Sequence, residues 1–172
     1  MRNLRLPAAV AGLAAAYAFA NAPAAKAYNV DTANGAACQL SIPTTDTGVR
    51  PKASGFRNES RTASNFVICT LQRSSTTGNY SSIGLIAYSL DGVARDLTCT
   101  AVVGVIAGGN TLVYSAKTAS IHDTTGNDLP ITWTAADFGG TEGAPITSSW
   151  NISITCNLKP QTAISMIQAS TP

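Results

Sequence analysis

Charge is scarce in this chain. Asp, Glu, Lys and Arg make up 12% of its 172 residues, aromatic side chains make up 6%, and histidine occurs once, at His122. Each shortage removes a class of function. With 11 basic against 9 acidic residues, there is no surplus of the kind that neutralises a phosphate backbone, so nucleic acid is not an expected partner. A Ser-His-Asp arrangement has a single place to form, and no Gly-x-Ser-x-Gly or Ser-x-x-Lys motif offers it a nucleophile. The only glutamates are Glu59 and Glu142. Most aspartates stand at turn positions, where the side chain caps its own backbone, which leaves little for a glycosidase that needs two facing carboxylates. A calcium loop of the Asp-x-Asp-x-Asp-Gly type is missing, and the four cysteines are too widely spaced for a Cys-x-x-Cys metal or redox motif. No metal and no cofactor is expected. Beyond the N-terminus the most apolar stretch, 101–107, falls well short of the roughly 20 residues that cross a bilayer.

The N-terminus carries the first positive signal. Arg2 and Arg5 precede an apolar, alanine-rich run from Pro7 to Ala20, and Ala25-Lys26-Ala27 stands just before Tyr28. A basic start, a short apolar run and an Ala-x-Ala site are the parts of a secretory signal peptide. Residues 1–27 are therefore assigned to a signal peptide and 28–172 to a single secreted domain, with Ala18-Phe19-Ala20 as a second candidate cleavage site. Removing Arg2, Arg5 and Lys26 leaves 8 basic against 9 acidic residues. A domain of this length buries about two thirds of its unfolded surface, enough for a real core.

Behind a signal peptide, the even set Cys38, Cys69, Cys99 and Cys156 implies two disulfides. Three pairings are open, of which 38–69 with 99–156 is favoured. Short β-type runs separated by turn chemistry fill the rest of the chain. Asp91-Gly92 lies between 83–90 and 93–105 and predicts a two-residue hairpin. Gly108-Gly109-Asn110 predicts a second hairpin into 111–116. The run 66–72 is apolar on both faces and predicts a strand covered on both sides. From Ile146 to Leu158, apolar side chains alternate with Thr, Ser and Asn, the pattern of a strand with one face on a core and one in water. Trp150 and Cys156 fall on its apolar face. Residues 28–37 and 44–52 read as polar lead-in and loop. The expected architecture is an all-β antiparallel sandwich of roughly seven to nine short strands with no helix in the mature chain. Cys99 and Cys156, on inward faces of two strong strands, would tie its core.

The order Cys38, Gly55-x-x-Asn58-x-Ser60, Phe66-Val-Ile-Cys69-x-Leu71 and Val93 to Cys99 resembles a broad group of secreted bacterial proteins with a Cys…Gly-x-x-Asn-x-Ser…Val-x-Cys-Pro-Leu pattern, with Thr70 in place of the proline. The resemblance spans roughly 38–104. It implies a secreted β fold with two disulfides and implies no activity and no site residues. Chaperone-usher pilins are similar in size and class, but Ser170-Thr171-Pro172 departs from their aromatic C-terminal strand.

The functional expectation is a non-catalytic domain, secreted to the periplasm or the outside, with a structural or ligand-binding role. Arg57 and Arg61 belong to a basic stretch (with Arg50, Lys52 and Arg73) that holds one acid, Glu59. Together with Trp133, the aromatic expected at the surface, they are the candidate contacts for an anionic glycan or a cell-envelope component. Two alternatives come from other classes. One is a small secreted hydrolase with its site at His122 or at Asp137 and Glu142. The other is an assembly subunit that pairs through an exposed edge strand.

Overall fold

Alternation of apolar and hydroxyl side chains decides which face each strand buries, and the computed structural model shows the result as two antiparallel sheets packed face to face. It describes residues 30–73, 79–104, 111–125, 131–147 and 151–171. The expected signal peptide, Asp128, Trp150 and the expected turn at Gly108-Gly109-Asn110 lie outside the described residues. The strands are β1 (Val30–Asn34), β2 (Gln39–Leu40), β3 (Val49–Lys52), β4 (Gly55–Asn58), β5 (Asn65–Gln72), β6 (Ser82–Ser89), β7 (Arg95–Val103), β8 (Val113–Ile121), β9 (Ile131–Thr134), β10 (Asn151–Leu158) and β11 (Thr162–Ser170). One sheet runs β3-β4-β11-β6-β9, with β1 also on β11; the other runs β2-β5-β10-β7-β8.

The sandwich is the expected fold, with eleven strands among the described residues rather than seven to nine. The additions come from sequence that reads as loop. β1 is polar, and its Asp31 accepts a hydrogen bond from the buried Tyr80 hydroxyl. Burial, and then this carboxylate partner, raise the Tyr80 phenol above its ordinary pKa. β3 contains Arg50-Pro51-Lys52 and survives because it is an edge strand, where proline is tolerated. The run 66–72 forms β5 as expected but is covered on one face only: Val67, Cys69 and Leu71 are buried, while Phe66 is 50% exposed.

Asp91-Gly92 does not make a hairpin. β6 and β7 lie in different sheets, and the turn carries the chain from one to the other. Only Gly92 has a positive φ. The Asp91 carboxylate accepts from the Val93 amide and forms a two-point pair with Arg95, at 2.6 and 2.7 Å. The Arg95 guanidinium, ahead of the Val93 amide, holds its carboxyl well below the usual range. The physical reason is burial. Ile83, Leu85 and Ala87 on β6 and Leu97, Cys99, Ala101 and Val103 on β7 are all buried, and facing each other across the sandwich covers both sets at once.

The cysteines pair as 38–69 and 99–156. Cys38, immediately before β2, is tied to Cys69 on β5, and Cys99–Cys156 joins the neighbouring strands β7 and β10 of the same sheet; the Cα atoms are 4.2 and 4.1 Å apart, the separation of directly opposed residues that do not exchange backbone hydrogen bonds. The bridges close loops of 31 and 57 residues, each worth about 4 kcal/mol on the chain-entropy estimate. Neither crosses between the sheets. That task falls to the apolar core and to polar ties, of which Asn58 is the most buried. It is fully buried on β4 of one sheet, and its Nδ2 donates to the carbonyl of Leu158 on β10 of the other at 3.0 Å. The same amide nitrogen donates to Ala63, and Oδ1 accepts from the Ser60 amide.

β11 is the centre of its sheet. One edge pairs with β6; the other is divided between β4, at Thr162–Ile164, and β1, at Met166–Ser170. A register shift between Ile164 and Met166 marks the junction. Two glycines make room there. A Cβ on Gly35 or on Gly55 would lie 2.0 or 2.1 Å from the Ile164 carbonyl oxygen, and Gly55 also has φ +126°, a region that only glycine enters freely.

Replacing Asn58 by alanine removes one buried amide and leaves the Leu158 carbonyl short of its donor across the sandwich. The expected loss is about 3 kcal/mol, read as a lower urea midpoint with the β spectrum by circular dichroism unchanged at zero denaturant.

Candidate functional site

The hairpin β3–β4 carries the densest charge in the described protein. In Gly55-Phe56-Arg57-Asn58-Glu59-Ser60, the period of two sends Phe56 and Asn58 inward, where both are buried, and leaves Arg57 and Glu59 outward. On β3 the same period places Arg50 and Lys52 on that outer face. Register aligns them: Arg50 opposes Arg57, Arg57 opposes Ala163, and Ala163 opposes Tyr88. The result is a row across the outer face of the sheet, cationic at the β3 edge and aromatic at β6. Ala163 lies in the middle of this row and is fully buried. The Tyr88 hydroxyl reaches the Ser54 carbonyl at 3.3 Å, so its ring leans back across β11 towards the β3–β4 turn.

Two arginines directly opposed on neighbouring strands repel. Glu59 offsets this. Its carboxylate lies 2.6 Å from Lys52 Nζ, 3.4 Å from Arg57 Nε and 3.6 Å from Arg50. The Lys52 hydrogen bond, followed by the fields of Lys52, Arg57 and Arg50, outweighs partial burial and keeps the Glu59 carboxyl below its ordinary pKa. Gln161 Nε2 donates to the carbonyls of Glu59 and Ser60 and fixes the backbone that presents the carboxylate. Three cations on one acid leave two positive charges over. The Arg57 Nε is buried and has no hydrogen-bond partner among the described residues.

The other candidates are placed differently. Trp133, expected at the surface, is fully buried on β9, with Nε1 donating to the Ser115 carbonyl at 3.0 Å. Its full burial puts it in the core with no face for a sugar, and the outward-alternating positions of its short strand are Thr132 and Thr134. Arg61 is exposed beyond Ser60 and joins none of the ion pairs around Glu59. His122 is exposed just after β8. Asp137 and Glu142 do come together, at Thr134, but as structure. Asp137 accepts from the Thr134 amide and from Lys117 Nζ, both at 2.7 Å, and Glu142 accepts from the Thr134 hydroxyl. Burial opposes ionisation of Asp137, yet Lys117 and the Thr134 amide hold its carboxyl below the usual range, which favours the anion that caps the 3-10 turn Ala135–Phe138. Among the described residues no cluster of three or more His, Cys, Asp or Glu has metal-binding geometry. A groove of about 160 Å³ beside β2 and β5 is lined by Ala37, Gln39, Leu40, Ser41, Ile68 and Thr70 and contains no titratable group.

Tyr88 is the member of the row that sequence reading missed as a contact. A signal was available: Arg50-x-Lys52 and Arg57-x-Glu59 flank Ala53-Ser54, and treating that span as a hairpin puts all four charges on one face. Tyr88, distant in sequence, joins only through the β11 register.

Because the Glu59 carboxyl is lowered by folding, the stability it confers is present above its ordinary value of about 4.5 and is lost as pH falls through the folded value. Glu59→Gln is expected to cost about 1 kcal/mol at neutral pH and low salt, since the group is partly exposed. The difference from wild type in urea melts should vanish towards acid pH and shrink in high salt; a pH-independent difference contradicts the ion-pair account. Comparison with family models, with curated proteins and with solved structures returned no match.

Proposed function

We propose that the mature chain is a secreted, non-catalytic β domain that binds an acidic polymer, a glycan bearing carboxylate, sulfate or phosphate groups, through the row Arg50, Lys52 and Arg57. One observation carries this reading: three cations share a single carboxylate. A Lys52–Glu59 pair alone would hold the hairpin together. The two added guanidiniums raise local repulsion and present planar, multidentate donors, the geometry that matches anionic oxygen groups. Arg61 extends the patch along the chain, and the Tyr88 ring at the far end of the row supplies an apolar face for a sugar.

Export is supported by the residues at the N-terminus and by two disulfides, which persist in oxidising compartments. Among the described residues no helix is long and apolar enough to cross a membrane. The partner is taken to be a component of the cell envelope or its surroundings, consistent with the resemblance to secreted bacterial proteins.

Two measurements test the proposal. Expressed with its own first 27 residues in a bacterial host, the exported protein should begin at Tyr28 by intact mass; an uncleaved, cytoplasmic product contradicts secretion. The purified protein should bind polygalacturonate but not neutral dextran, with affinity falling as salt rises. The double variant Arg50→Ala/Arg57→Ala should weaken that binding by at least about tenfold, because each lost contact is a charge-assisted hydrogen bond. Equal binding to dextran, or an unchanged affinity in the double variant, would sink the idea.

A further inference from the structure

A sheet edge presents unpaired N–H and C=O groups, and folds blunt such edges with brevity, charge, proline or cover. This sandwich treats its edges unequally. β2 is two residues long and β9 four, and the β9 carbonyl of Thr132 is covered by Lys117 Nζ at 2.7 Å. β3 carries Arg50, Pro51 and Lys52, and β1 is five residues long with Asp31 in it. β8 has one of these devices, the inward-facing Lys117, and that charge is drawn off the edge and neutralised by Asp137 at 2.7 Å. The strand is nine residues long, pairs with β7 in an unbroken register from Val113 to Ile121, and has no proline or bulge. No described strand pairs with its other edge.

The alternation identifies which groups are open. Cys99 and Cys156 form a disulfide at a Cα separation of 4.1 Å, so they are a pair that does not exchange backbone hydrogen bonds, and Cys99 directs its N–H and C=O away from β10, towards β8. Its β8 partner Lys117 therefore bonds back to β7. The residues in between, Tyr114, Ala116, Thr118 and Ser120, point their backbone groups out at the edge away from β7, which no described strand covers. The side chains of all four are exposed, Tyr114 to 62%, and none is charged. The one charge on β8, Lys117, lies on the inner side and is held by Asp137. Lys117 and the buried Trp133, bonded to Ser115, close the flank of the sandwich, so an incoming strand cannot insert side chains into the core. What remains is a neutral main-chain ladder with a small residue near its middle, a surface that complements itself.

We propose that β8 is the docking edge for a second copy of this chain, pairing antiparallel with its own counterpart about a twofold axis at Ala116. In that register Ala116 faces Ala116, Tyr114 faces Thr118 of the second copy, and Lys117 faces Ser115 rather than another lysine. The two five-stranded sheets become one continuous sheet. The contact is mostly main chain and small in area, which places it among weak, concentration-dependent associations.

The pairing is tested by sedimentation velocity on the protein from about 1 µM to about 1 mM, the range over which such contacts form. Wild type is expected to shift from monomer to dimer. Ala116→Lys and Ala116→Glu each place like charges directly opposite at the axis, and each should weaken dimerisation at least about tenfold. Mixing the two variants places Lys opposite Glu and should restore the dimer. Ala116 is exposed, so neither change threatens folding, and circular dichroism checks that both variants keep the wild-type spectrum. A wild type that stays monomeric throughout overturns the proposal. So do single variants that dimerise as well as wild type, and so does a mixture that fails to recover.

Discussion

β11 has two edges and three partners, and the rest of the molecule is arranged around that mismatch. β6 takes one edge along the whole strand. The other must seat β4 and then β1 end to end, and two strands meeting on one edge collide where their termini converge. The collision is relieved in three ways at one point: the register of β11 shifts after Ile164, Gly35 ends β1 without a side chain, and Gly55 begins β4 without one. Because β4 is held by only three register pairs on β11, its orientation depends on what else fixes it. Asn58, reaching across to Leu158, and Gln161, reaching back to Glu59 and Ser60, supply that. The charged hairpin is thus rigidly mounted although it lies at a sheet edge, which is what a binding surface built from long, flexible side chains requires if binding is not to cost their full rotamer entropy.

Inner faces were legible in the sequence because alternation is a local signal. Leu97, Cys99, Ala101 and Val103, and Ile152, Ile154, Cys156 and Leu158, are buried as their spacing indicates. Neighbour relations were not legible, because they depend on residues far apart. Asp91-Gly92 has the chemistry of a hairpin turn, yet both flanking strands are apolar enough to need a facing partner, and the demand for burial overrode the turn preference. β1 and β3 were hidden because their polar and proline-bearing sequences are suited to edges, where strand propensity matters least. Trp133 was misplaced for a related reason. On a four-residue strand, alternation gives too few positions to tell the buried face from the open one, and its indole N–H finds a partner only in the other sheet.

Covalent and polar ties divide the work of holding the sandwich. Both disulfides stiffen one sheet, across β2–β5 and β7–β10. The two sheets are joined by apolar contact and, around it, by Asn58 to Leu158, Trp133 to Ser115, and Lys117 to Thr132 and Asp137. Reduction would therefore loosen strand order within one layer, largely through the unfolded chain, before it affected how the layers meet. The motif Gly55-x-x-Asn58-x-Ser60 belongs to this structural half of the molecule: glycine for the β11 junction, asparagine for the sheet-to-sheet tie, serine for the turn that receives it. Of the residues between the motif positions, Phe56 is buried in the core, and Arg57 and Glu59 lie on the outer face.

The same reasoning separates protection from recognition at β3. Blunting an edge needs a proline and one or two charges, and Pro51 with Lys52 satisfies that. Arg50 opposite Arg57 goes further and is unfavourable in isolation, since like charges face each other across a strand pair. Glu59 reduces the repulsion without cancelling it, because one carboxylate at 2.6, 3.4 and 3.6 Å from three cations still leaves two charges uncompensated. A fold under selection for stability alone would gain by neutralising one of them. On β8 the one cation, Lys117, is matched by Asp137, and the outward positions Tyr114, Ala116, Thr118 and Ser120 carry no charge, so surplus cations are not spread over exposed strands as a rule. Surplus charge is thus concentrated at the β3 edge, where it deters strand pairing and makes the local potential positive, and is missing from the outward positions of β8.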